Sequence, residues 1–154
     1  MQLLNVNTLS QRTGIAATKL IYCIENGMTE RDWLLPEHDT QMLDIIAAVH
    51  VVCGALLIDS GCSPLAAKLL MKAIAGFQRQ RRNPLNLPPI AEAINGTDAA
   101  VVQVADGTHV RWRIGIRDSG WFRFTPKKES EPDHVPTLVI AMDVARIRDM
   151  IRGA

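Results

Sequence analysis

Midway along this 154-residue chain the period of the apolar residues changes from the 3.6 of a helix to the 2 of a strand. The change falls on Asn83 to Pro89, a stretch with three prolines that cannot continue a helix. A chain of this length is about one domain, or two small ones sharing a core. The switch therefore predicts an α+β protein. It comprises a helical unit over 1–82, a proline-rich linker with a short helix over 83–98, and a small antiparallel β-meander with a C-terminal helix over 99–154.

Within the first unit the capping residues divide the helices. Asn7 or Thr8 can cap a short helix that stops at Gly14, and a second can run from Ala17 to Glu25 before the break at Asn26-Gly27. That is helix, tight turn, helix. A polar stretch follows from Thr29 to His38, after which Asp39 can cap a long apolar helix through about Leu57. Ser63 can cap the next, with Pro64 at its first position, where the missing N–H does no harm. This helix is expected to reach about Arg82, with Leu65, Leu69, Leu70, Ala73, Ile74 and Phe77 on one face.

Beyond the linker, Ala99–Val104 and His109–Arg117 flank Asp106-Gly107, a strong hairpin signal. The second strand alternates Val110, Trp112, Ile114 and Ile116 with Arg111, Arg113 and Arg117, so one face is apolar and the other basic. Trp121 to Thr125 reads as a third strand, Pro126 to Pro136 as a charged loop and Thr137 to Met142 as a fourth strand. Asp143 can cap a last helix lined by Val144, Ile147 and Ile151.

Composition excludes several classes. The apolar fraction is 47% and the net charge +1, which is ordinary for a globular protein. The run Ile45 to Ile58 contains His50 and falls short of the roughly 20 residues that cross a bilayer. Met1 to Val6 lacks the pattern of a signal peptide, so the expected location is the cytoplasm, with no membrane. Cys23, Cys53 and Cys62 are odd in number and set among apolar residues, as reduced core thiols are. His50 and Cys53 stand one turn apart and could form half a metal site, but two ligands are too few. No phosphate-binding glycine loop, nucleophile elbow or zinc-protease motif occurs, so neither an enzyme nor a cofactor is expected.

The run Leu9-Ser10-Gln11-Arg12-Thr13-Gly14-Ile15, followed by Lys19-Leu20-Ile21-Tyr22 and Gly27-Met28, resembles the opening of MerR-type regulators. A second match, Ser60-Gly61-Cys62-Ser63-Pro64-Leu65 with Ala66-Ala67-Lys68-Leu69-Leu70 after it, is similar to the segment that opens that family's fourth helix. Together they cover roughly residues 6–76. The resemblance implies a winged helix-turn-helix in which the second helix enters the DNA major groove and a wing after Gly27 touches the backbone. Ala17, Thr18, Lys19 and Tyr22 would then face DNA, with Arg12 and Arg31 near phosphates. Ile21 and Cys23 stand where the family usually has an Arg and a Tyr.

The charge is unevenly divided. Residues 1–66 carry three bases against seven acids, a net of −4, and the remainder carries +5. Because phosphate contacts dominate affinity for DNA, the attraction must come from outside the first 66 residues. Arg79, Arg81 and Arg82, at the end of the last helix of the first unit, are the nearest source. Arg111, Arg113, Arg117 and Arg123 form a second candidate surface, for nucleic acid or an acidic protein partner. These features point to a transcriptional regulator that binds double-stranded DNA. It is expected as a homodimer, since the long third helix is apolar nearly all round, more than so small a bundle can cover. The alternative is a protein-interaction or assembly module whose helix-turn-helix has lost DNA contact.

Overall fold

A computed structural model describes residues 3–28, 34–37, 40–80, 98–105, 109–118, 121–124 and 138–153, with side chains described over 3–28, 42–72 and 142–153. Arg31, Arg81, Arg82, the linker, the Asp106-Gly107 turn and the loop 126–136 lie outside the described residues. The chain is α+β. Strand β1 (Leu4–Asn5) leads into α1 (Val6–Thr13), α2 (Ala17–Glu25), β2 (Leu34–Glu37), β3 (Thr40–Leu43), α3 (Ile45–Asp59) and α4 (Pro64–Gln80). The second half holds β4 (Asp98–Ala105), β5 (His109–Asp118), β6 (Trp121–Phe124), β7 (Leu138–Met142) and a last helix, α5 (Val144–Arg152).

Helix α1 begins earlier than the sequence suggested. Asn5, rather than Asn7 or Thr8, is the cap, its side chain accepting from the Thr8 amide at 2.8 Å. Asn5 also closes the short strand β1, so strand and helix meet without a loop. At the other end Gly14 adopts φ 74° and gives its N–H to the Ser10 carbonyl at 2.9 Å. That left-handed conformation strains any residue with a Cβ, which is why the turn falls on glycine.

The start of α3 corrects the sequence reading. Residues 40–43, expected as its first turn, pair instead as β3 with both β1 and β2, in the order β1-β3-β2. Leu43 lies opposite Leu4 on one side and Leu34 on the other, and Leu4 and Leu43 are buried. Asp44, not Asp39, is the cap, accepting from the Ala47 amide at 2.8 Å. Pro36 sits in β2, at the sheet edge, where a missing donor is tolerated.

Helix α3 is the centre of the helical unit. Every residue from Ala47 to Ala55 is buried, because α2, α4, α5 and β3 surround it. Most of its apolar circumference is thus covered within one chain, with Leu56 left exposed near its end. Ser63 caps α4 as expected, accepting from the Ala66 amide at 3.1 Å. The buried face of α4 is Ala67, Leu70 and Met71, the side that meets α3. Leu65 and Leu69, expected in the core, fall off that face and are 67% and 55% exposed.

The second sheet has the strand order β6-β5-β4-β7, all antiparallel. This is not the expected meander. The fourth strand returns to lie beside the first, a Greek-key order, which the long connection over 125–137 allows. Met142, at the end of β7, is buried in the same core as Val144, Ile147 and Ile151, and α4 and α5 lie against β5 and β4. One core joins the two halves.

Candidate nucleic-acid interface

Three apolar side chains decide how α2 is presented. Leu20, Cys23 and Ile24 are buried against α1 and α3, together with Leu9 and Ile15 from α1 and the turn. The turn is fixed by its own polar groups. Ser10 Oγ donates to the Ile15 carbonyl at 2.6 Å, and Thr13 Oγ1 donates to the Leu9 carbonyl at 2.8 Å. With one stripe of α2 held inward, the opposite stripe must face outward. It consists of Thr18, Ile21, Tyr22 and Glu25, all exposed at i, i+3, i+4 and i+7 spacing. Thr18 and Tyr22 were expected there. Ile21 and Glu25 were not, although the spacing from Leu20 and Ile24 marks them.

Two cations of this unit, Lys19 and Arg12, are engaged within the chain. Lys19 flanks the outward stripe, and its Nζ pairs with Asp59 at the end of α3. Their side chains are 37% and 43% exposed, so solvent screens the pair and its worth is about 0–1 kcal/mol. Arg12, expected near phosphates, lies in the last turn of α1 and donates from Nη1 to the Ile151 carbonyl at 2.7 Å. It therefore satisfies a free carbonyl at the C-terminal end of α5, where a cation also complements the helix dipole. Ala17 opens α2 half-buried, beside the stripe. Arg79 is in the last turn of α4.

The second basic set divides. In an antiparallel ladder directly opposed residues share a face. Ile116 opposes Arg123, whereas Arg117 opposes Phe122. Arg111, Arg113 and Arg117 consequently share one face of the sheet, and Arg123 lies on the other. The sequence could not show this, since it follows from the β5–β6 register.

The titratable groups of the core are inert. Burial lowers the His50 pKa to about 4, and the Nδ1 proton goes to the Ile46 carbonyl at 2.9 Å. Burial pushes the Cys23 thiol up to about 11 and the Cys53 thiol up to about 12, and all three cysteines are free. Among the described residues no group of three or more His, Cys, Asp or Glu could hold a metal, and no helix is long and apolar enough to cross a membrane. An apolar groove of about 360 Å³ lies between the end of α3 and α5, lined by Leu56, Met142, Ile147 and Met150 among others. None of its lining comes from α2, so it is separate from the outward stripe.

Comparison with known protein families and with characterised proteins finds no match to this chain.

Proposed function

We propose that residues 4–80 form a winged helix-turn-helix that binds double-stranded DNA, and that the chain is a transcriptional regulator. The observation that carries this reading is the element order strand, helix, helix, hairpin, helix, helix, with β1 joined to the β2–β3 hairpin in one sheet and α2 presenting an outward stripe. On this reading α2 enters the major groove and Thr18 and Tyr22 meet base edges, the Thr methyl suiting a thymine methyl and the hydroxyls either donors or acceptors. The hairpin and Lys19 approach the backbone, Lys19 exchanging Asp59 for a phosphate at little cost. Arg79, with Arg81 and Arg82, supplies attraction that residues 1–66, with their net charge of −4, do not. Two copies are needed, since one recognition helix reads few bases, and the exposed Leu65 and Leu69 offer the surface for the second copy.

The test is fluorescence anisotropy with a random duplex at low and at physiological salt. Binding that strengthens at low salt is expected, and Arg79→Ala combined with Arg81→Ala and Arg82→Ala should flatten the salt dependence by up to about three units of slope. Light scattering should give twice the 17 kDa chain mass.

A second reading is favoured by one observation: Lys19 and Arg12 are held by Asp59 and Ile151, which leaves α2 an outward stripe of Ile21, Tyr22 and Glu25 without a cation. Such a surface suits a protein-assembly module. Absence of duplex binding even at low salt decides for it.

A further inference from the structure

The face of the four-stranded sheet that carries Arg111, Arg113 and Arg117 has a composition that solvation does not account for. It is the face away from the helices. Met142 opposes Ala100, and Ala100 opposes Ile114, so these three share a face, and the buried Met142 identifies it as the side of the helical core. Val101 opposes both Ala141 and Arg113 and belongs to the other face, with Arg111 and Arg117 two and four positions away along the strands. On that face β6 contributes Phe122, directly opposite Arg117, and Phe124, directly opposite Gly115.

Three arginines at alternate or near-alternate positions thus lie along β5, an interior strand, at about 7 Å per two residues. Two phenylalanines lie at register positions beside them. Gly115, which has no side chain, occupies the position between Arg113 and Arg117 and across from Phe124. A purely solvated face has no use for two phenylalanines, and an acidic protein partner needs the cations alone. A row of cations beside aromatic rings is the arrangement that follows a phosphate backbone while bases stack.

We propose that this sheet face binds single-stranded nucleic acid, Arg111 and Arg113 taking adjacent phosphates and Arg117 one further along the strand, Phe122 and Phe124 stacking bases, and Gly115 leaving room for the base on Phe124. Residues 98–154, which hold this sheet, carry nine bases against eight acids, so the three arginines are a local concentration of positive charge on one face, the sign such a ligand requires. This surface is distinct from α2 and does not depend on duplex binding.

The test uses the full chain and fluorescein-labelled single strands, oligo(dT) and oligo(U), in anisotropy titrations over a salt series. Wild type should bind both. Replacing Arg111, Arg113 and Arg117 by Gln should weaken binding at least tenfold and reduce the salt slope by about two units. Phe124→Ala should weaken binding about tenfold with the slope unchanged. Gly115→Val, which keeps every charge and ring and suits a strand, should also weaken it. Arg123→Gln, on the opposite face, should have no effect. Thermal melts accompany each variant, and only variants that melt cooperatively are compared. Absence of single-strand binding at low salt overturns the proposal. So does loss with Arg123→Gln equal to that with Arg113→Gln, or displacement of oligo(dT) by poly-glutamate at matched charge, which would mark an acidic-protein surface.

Discussion

His50 lies fully buried in the middle of α3, where its ring must stay neutral to remain in the core. Its folded pKa of about 4 lies below the ordinary 6.5, so between these values the unfolded chain binds the extra proton. Stability should therefore fall as pH drops from above 6.5 toward 4 and level off below, by about 3 kcal/mol in total from this group. Urea titrations at pH 7.5 and 4.5 should show that loss in wild type and a smaller one in His50→Gln. Equal losses in the two proteins would contradict the burial. Gly54, on the same helix, is set by a neighbour: a Cβ there would lie 2.6 Å from Met28 Sδ and 3.1 Å from Met28 Cβ. Helix propensity alone favours Gly54→Ala by about 1 kcal/mol. The clash should reverse the sign, to a net loss of about 1–2 kcal/mol, with Met28→Ala in the same chain making the alanine the better residue. A stabilised single variant in thermal melts would refute this packing.

Among the elements, α2 was legible to the residue, since Ala17–Glu25 carries a clear apolar stripe and ends on Asn26-Gly27. The strands β2 and β3 were not. Each has four residues, too few for alternation to register, and Pro36 argues against a strand until the β1-β3-β2 order shows it at an edge. The position of α3 followed from the same miss, because Asp39 and Asp44 are equally good caps and only the pairing of residues 40–43 chooses between them. In the candidate site, the sequence identified α2 and Tyr22 but could not give the partners of Lys19 and Arg12, which lie 40 and 139 residues away. The Lys19–Asp59 pair gives a prediction at this scale. Asp59→Asn should change stability by less than about 1 kcal/mol, the pair being exposed, yet strengthen duplex binding by releasing Lys19 and removing an acid. Chemical denaturation and anisotropy on the same preparation measure both. Weaker duplex binding in a fully folded variant would mean that Asp59 positions Lys19 for contact rather than competing with DNA.

Across the whole molecule, the period switch announced a helical half and a sheet half but not how they join. The order β6-β5-β4-β7 brings the last strand beside the first, and Met142 and α5 then carry the second half into the core of the first. Arg12, reaching from α1 to the end of α5, ties the two ends of the chain. The halves should therefore unfold together. The central claim is that α2 reads DNA from this frame, and selection from a random duplex library tests it most directly, run in parallel with wild type, Thr18→Ala and Tyr22→Ala. Wild type should enrich a motif with two related half-sites, and each variant should relax the preference at one or two adjacent base pairs within each half-site, at about 1–3 kcal/mol of discrimination. Enrichment of no motif by wild type, or of the same motif with unchanged strength by both variants, would contradict the account.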